Sequence, residues 1–152
     1  MARTAIREAL YSALTGNATL LRLLGTVSDS QRRIYSGWPQ QQPVLSTTEP
    51  SGEGWLAFWE EPTTSEEDTV FEHVRVNIVL VVTRLSLADS VVDELDALWH
   101  WRVPQQTALQ YGDRFVIRAK RMGLDDGFDE ERKLYQRQVR YWLEMAQSPW
   151  SA

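Results

Sequence analysis

Cysteine is absent from the 152 residues, and histidine occurs only twice. No thiol means no disulfide frame, no thiolate metal site and no cysteine nucleophile. The lack of cysteine fits a cytoplasmic product. His73 and His100 stand in unlike surroundings, and no H-x-x-x-H spacing puts two imidazoles on one helix face. Long apolar runs are missing as well. Ile78–Val82 is strand-sized, far short of the roughly 18–20 residues of a membrane helix. The start, Met1-Ala2-Arg3-Thr4, has no apolar core of the kind a signal peptide carries. Nothing here calls for a membrane.

Basic residues are missing from one stretch. Residues 41–73 hold eight acids and no Lys or Arg, so the total charge of −5 is unevenly spread. Residues 1–40 carry +3, residues 74–122 carry +2 and residues 123–152 carry −2. A pI near 5.1 with an acid-only stretch is poor equipment for gripping phosphates. Such a stretch reads as a solvated loop, or as a surface that repels DNA or meets a basic partner. What the chain does have is apolar mass: 43% hydrophobic residues and seven tryptophans. That is enough for one domain spanning 1–152, with a long acidic loop region at about 36–72.

Periodicity supplies the elements. Ile6, Leu10 and Leu14 make a helical stripe over 3–14, and Gly16 stops it. Asn17 is placed to cap a short helix, 18–24, closed by Gly25. Ile34-Tyr35 is a short strand candidate, and Trp55–Trp59 a compact apolar strand. Glu60–Asp68, with Pro62 and a Thr-Thr-Ser run, reads as a mobile loop or hairpin tip. The strongest strand is Val70–Leu85, whose Val74, Val76, Ile78, Leu80 and Val82 share a face. Ser86 and Asp89 have the spacing of a capping box for a helix to about Trp101. Phe115–Met122 reads as a strand with basic residues, Gly123–Glu131 as an acidic turn, and Lys133–Met145 as a long last strand.

The expected fold is α+β: a mostly antiparallel, four- to five-stranded sheet packed on one side by two or three helices. Its core should include Ile6, Leu10, Leu14, Val76, Ile78, Leu80, Val92, Leu95, Trp99 and Val116. Trp38, Trp55, Trp59, Trp101 and Trp150 cannot all fit there, so at least one should sit at a contact.

Motifs for chemistry do not assemble. An EF-hand register centred on Gly127 would put Met122, Leu124 and Lys133 at ligand positions. Ser51-Gly52-Glu53-Gly54 lacks the Lys-Ser/Thr of a phosphate loop, and its Glu53 would repel phosphate. No serine lies in a G-x-S-x-G elbow. Glu60-Glu61 is a carboxylate pair without a rigid cleft to separate its pKa values. Arg114, Arg118, Lys120 and Arg121 with Phe115 fall short of an RNA-recognition strand, which needs a glycine–aromatic motif. The reading is of a non-enzyme with no catalytic residue, no metal and no cofactor.

The order of elements is itself informative. Ile6-Arg7-Glu8-Ala9-Leu10-Tyr11-Ser12-Ala13-Leu14 leads to Leu20-Leu21-Arg22-Leu23-Leu24-Gly25 and then Arg33-Ile34-Tyr35. The long strand Val74–Val82, a helix with Val91-Val92-Asp93-Glu94-Leu95, and final strands follow. Over roughly residues 3–145 this pattern resembles the tail-terminator, or tail-completion, proteins of tailed bacteriophages, also called head–tail joining proteins. The resemblance implies a structural virion protein, a homo-oligomeric ring, commonly a hexamer, made in the host cytoplasm and carried in the tail or neck. The ring would cap the tail tube protein, stop polymerisation and offer a surface to the head connector or neck protein, while DNA passes through without sequence-specific binding. Its subunit interface is expected at Arg75, Arg114, Arg118 and Arg121. Glu60, Glu61, Glu66, Glu67 and Asp68 would form an acidic lumen or partner surface. A neck or head-closure adaptor, and a small soluble cellular binding domain, stay open as other readings.

Overall fold

A computed structural model describes residues 2–25, 33–42, 45, 52–62, 71–99, 110–111 and 114–147. The described elements run α1 (Ala2–Thr15), α2 (Ala18–Leu24), β1 (Ile34–Ser36), β2 (Gly54–Pro62), β3 (Phe71–Val82), α3 (Leu85–Trp99), β4 (Gln110–Tyr111), β5 (Arg114–Asp129) and β6 (Leu134–Gln147).

In α1, Ile6, Leu10 and Leu14 lie four apart and are all fully buried, so one face of the helix is committed to the core. Asn17 caps α2. Its side-chain oxygen accepts from the Leu20 N–H at 3.0 Å, and its amide donates to Glu94 of α3 at 2.9 Å. Gly25 ends α2 at φ +90°, its N–H directed to the carbonyls of Leu21 and Arg22. A Cβ on Gly25 would stand 2.5 Å from the Cα of Gly52, so both conformation and contact require glycine there.

The strands form one sheet in the order β1-β2-β3-β6-β5-β4. The β1–β2 pair is parallel and the others are antiparallel. This is the expected α+β fold, with the short strands β1 and β4 bringing the count to six. β6 inserts between β3 and β5, pairing with β3 from Tyr135 to Ala146. All three helices pack on the same face. Ile6, Leu10, Leu14, Leu20, Leu24, Val92, Leu95 and Trp99 meet Phe58, Val76, Ile78, Leu80, Val139 and Tyr141 in a single apolar cluster. Nine of the ten expected core residues are buried. The side chain of the tenth, Val116, lies outside the described residues.

Three local expectations need correction. Residues 123–129 are not a turn but the second half of β5, in register with Leu134–Arg140. Their Asp and Gly content disguises a strand that cross-strand ion pairs neutralise: Asp126 with Arg137 at 2.6 Å, and Asp125 with Arg140 at 3.3 Å. The turn is 130–133, where Lys133 takes φ +59° and Asp129 accepts from the N–H groups of Glu131 and Arg132. Next, α3 begins at Leu85, and the Ser86–Asp89 capping box does not form. Ser86 accepts instead from Arg84, and the Asp89 carboxylate is drawn to Arg137. Last, Glu60, Glu61 and Pro62 belong to strand β2 rather than to a loop.

Polar clamps hold α3 to the sheet. Arg137, 7% exposed, donates to Asp126 through Nε at 2.6 Å and Nη2 at 3.1 Å, and to Asp89 of α3 through Nη1 at 2.6 Å. The hydrogen bond from Arg137 holds the Asp126 carboxyl below the usual range, and the same bond pushes the guanidinium pKa up. Two turns further along α3, Asp96 accepts from Tyr141 Oη at 2.7 Å and from Arg121 Nη1 at 2.7 Å. Burial, reinforced by the Asp96 bond, pushes the Tyr141 phenol up.

Candidate interaction surface

The described helices cover one face of the sheet, none of them lies on the other, here called the open face, and strand register decides which side chains that face carries. Along β3 the period of two sends His73, Arg75, Asn77, Val79 and Val81 to this side. Pairing places Glu61, Arg75, Trp142 and Lys120 in one row across four strands. His73, Glu144 and Arg118 form the row beside it.

Trp142 is the centre of this half of the face. The His73 ring stacks on it at 4.7 Å with 19° between planes. The Arg118 guanidinium and the Lys120 ammonium each lie 5.2 Å from the indole centroid, within cation–π range. Glu144 holds His73 at 2.8 Å and Arg118 at 3.7 Å. Glu61 takes Arg75 at 3.5 Å and accepts from Asn77 at 3.0 Å. The side chains of Arg118 and Arg75 remain about half in water, at 53% and 45% exposure. The arrangement is a rigid strand platform carrying cations on an aromatic base, with two carboxylates fixing their positions.

The other half of the face is apolar. Trp55, Ala57, Val79 and Val81 form a small buried cluster, covered in part by Tyr35, Leu45, Trp59 and Leu134. Trp38 meets Trp55 edge-on at 5.3 Å and is itself half exposed. Between Trp38, Gln42, Val81, Arg132, Leu134 and Tyr135 lies a shallow cleft of about 270 Å³. The buried Trp55 Nε1 has no hydrogen-bond partner among the described residues. On β5, Met122, Leu124 and Phe128 are also exposed, but Leu124 and Phe128 pair with Val139 and Tyr135 and so belong to the helix side of the sheet.

The expected interface arginines are divided by the fold. Arg75 and Arg118 share the open face, flanking Trp142. Arg121 is on the helix side, clamped to Asp96, because it stands three positions after Arg118 in a regularly alternating stretch that pairs it with the buried Tyr141. Arg114 opens β5 opposite Gln147, and its side chain lies outside the described residues. The acids divide as well. Glu61 is half exposed on the open face, while Glu60 departs from the expected surface acid. It is 4% exposed, beneath α1, where Arg7 donates to it at 2.9 Å. Glu66, Glu67 and Asp68 lie outside the described residues. The sequence reading missed Trp142, His73 and Glu144 as a unit. The signal available was the alternation of Arg140, Trp142 and Glu144 on one face of the last strand. Of the tryptophans expected to be in excess of the core, Trp38 is the exposed one among the described residues; Trp101 and Trp150 lie outside them.

No protein-family model matches the chain, and no curated protein does. Among solved structures, a chain in the virion of a native gene transfer agent (GTA) particle shares the fold. The two align over 94% of this chain and 96% of that one, with a TM-score of 0.67 at 14% identity. A second solved chain aligns over 96% of this chain and 98% of its own at 13% identity, with a TM-score of 0.49.

Proposed function

We propose that this chain is a structural virion protein that caps the end of a tail tube, stops tail polymerisation and forms part of the head–tail joint. The observation that carries the reading is the fold shared with a virion chain over nearly the full length of both partners. The order of helices and strands, which resembles the tail-terminator proteins, supports the tail-end role within that virion setting. A ring of copies, six in number, surrounds the axis along which DNA passes. Two features suit such a ring. The open face presents fixed cations and aromatics for contact, and residues 41–73 carry eight acids and no Lys or Arg, which keeps a DNA path from becoming sticky.

The test is to image tails produced without this chain by negative stain. Overlong tails are expected, with normal length restored when the chain is supplied in trans. Tails of normal length that fail to join heads would move the protein to the neck. Intact, DNA-filled particles made without it would overturn the reading.

A further inference from the structure

The outer edge of the sheet at β5 is long, carries exposed apolar side chains, and has no neighbour along most of its length among the described residues. We propose that this edge pairs antiparallel with the β5 edge of a second copy, about a two-fold axis at Leu124. The inference goes beyond the tail-end reading and does not need it. A two-fold contact closes on two copies, so it describes the free protein and leaves any ring to other surfaces.

The two edges of the sheet differ. On one side β1 is only three residues long, Ile34–Ser36. On the other side β4 covers β5 at Arg114 and Phe115 and no further. From Val116 to Asp129 the outward N–H and C=O groups of β5 have no strand beside them among the described residues. Such a row is a template for another strand, which edges commonly blunt with bulges and charge. β5 has bulges after Val116 and Arg121, but Gly123 to Asp129 runs without one. The strand also holds three of the five exposed large hydrophobic residues among the described ones: Met122, Leu124 and Phe128. An edge meant to stay in water has no use for them.

The occupant follows from the order of charges. Arg118, Lys120 and Arg121 come before Leu124, and Asp125, Asp126 and Asp129 come after it. Two copies laid parallel would set like charge against like. Laid antiparallel, each basic half meets an acidic half. Facing narrows the register further. Pairing with β6 assigns Arg118, Lys120, Gly127 and Asp129 to the open face. It assigns Ala119, Arg121, Leu124, Asp126 and Phe128 to the helix side. With the axis at Leu124, and Met122 bulged in both copies as it is against β6, Leu124 meets its own counterpart. Asp126 then meets Arg121 of the partner subunit, and Asp129 meets Arg118 of the partner subunit, each pair on one face. Phe128 falls opposite the partner's Ala119, a large side chain against a small one. Gly127 falls opposite the partner's Lys120 and leaves it room, since a Cβ on Gly127 would find nothing within 4 Å. Asp126 and Arg121 keep their bonds to Arg137 and Asp96, so the pairs between copies extend charge networks whose geometry is already set.

The chain has no cysteine, so a single introduced thiol can report on its own copy. Directly opposed residues of an antiparallel pair stand about 4.5–5.5 Å apart at Cα, within reach of a disulfide. Leu124→Cys should therefore form a covalent dimer on mild oxidation. Phe128→Cys should not, because its two copies lie roughly 27 Å apart along the paired strands. Sedimentation velocity on the wild type should show a dimer. Leu124→Asp sets two carboxylates against each other at the axis and should associate at least about tenfold more weakly, a loss of about 1.4 kcal/mol. Circular dichroism checks that each variant folds, and the cysteine pair carries the test if Leu124→Asp does not. A wild type that is monomeric at every concentration overturns the proposal, as does a folded Leu124→Asp variant that associates like the wild type. Crosslinking of Phe128→Cys in place of Leu124→Cys overturns it too. So do larger assemblies in which Leu124→Cys fails to crosslink, because the copies would then meet head to tail through another surface.

Discussion

The clamp on Arg137 gives a prediction whose sign runs against intuition: removing a carboxylate should hurt more than removing the arginine. Arg137 is 7% exposed and makes three charge-assisted hydrogen bonds, two to Asp126 and one to Asp89. Asp126→Asn keeps an acceptor oxygen but removes the charge and the matched fork. Breaking a buried pair costs about 3–5 kcal/mol when the remaining charge is stranded. Here Asp89 still faces the guanidinium and Asp126 is 44% exposed, so the figure falls to about 2 kcal/mol. Arg137→Met leaves an apolar chain in a slot that is already largely dry. It frees two carboxylates, 44% and 68% exposed, that water can solvate, and should cost about 1 kcal/mol or less. Urea melts at neutral pH read both values; about 2 kcal/mol moves the midpoint by about 1 M. A pH series adds a second check. The Asp126 pKa is depressed by Arg137, so its stabilisation is whole above the unfolded carboxyl value of about 3.9 and is lost as pH falls through the lower folded value. The gap between wild type and Asp126→Asn should close over that acid range. A larger loss for Arg137→Met, or a gap that ignores pH, would refute the assignment of the clamp.

Other perturbations address the two faces and the caps. Ile78→Ala, in the layer beneath the helices, should cost about 2–5 kcal/mol, and Val79→Ala, on the open face, clearly less; equal losses in denaturant melts would mean that the faces are misassigned. Gly25→Ala meets both a positive φ and a 2.5 Å contact, and should destabilise by more than the roughly 1 kcal/mol of an ordinary glycine change; a neutral thermal melt would contradict this close approach. Trp38→Ala should leave the melt within about 1 kcal/mol of wild type while weakening assembly or tail joining, and unaltered joining would reduce Trp38 to a solvated cover for Trp55.

Local patterns carried much of the fold. The i, i+4 spacing of Ile6, Leu10 and Leu14, the cap at Asn17 and the alternation through Val74–Val82 each reflect a preference that neighbours in sequence can satisfy. What escaped depended on distant partners. Asp125 and Asp126 read as turn residues until Arg137 and Arg140 pair with them across the β5–β6 hairpin. Glu60 stands in an acidic run, and its burial depends on Arg7, 53 positions earlier, arriving on α1. The Trp142 cluster needs β6 to lie between β3 and β5, an order that no local periodicity encodes. The face of Arg118 and the separation of Arg121 from it were both legible from alternation, since the two stand an odd number of positions apart.

The central claim is a place in a particle, so a cryo-electron microscopy reconstruction of intact virions carrying this chain tests it most directly. The account predicts one closed ring of this α+β fold at the head-proximal end of the tail tube. Density for the chain elsewhere in the particle, or particles purified without it, would contradict the account.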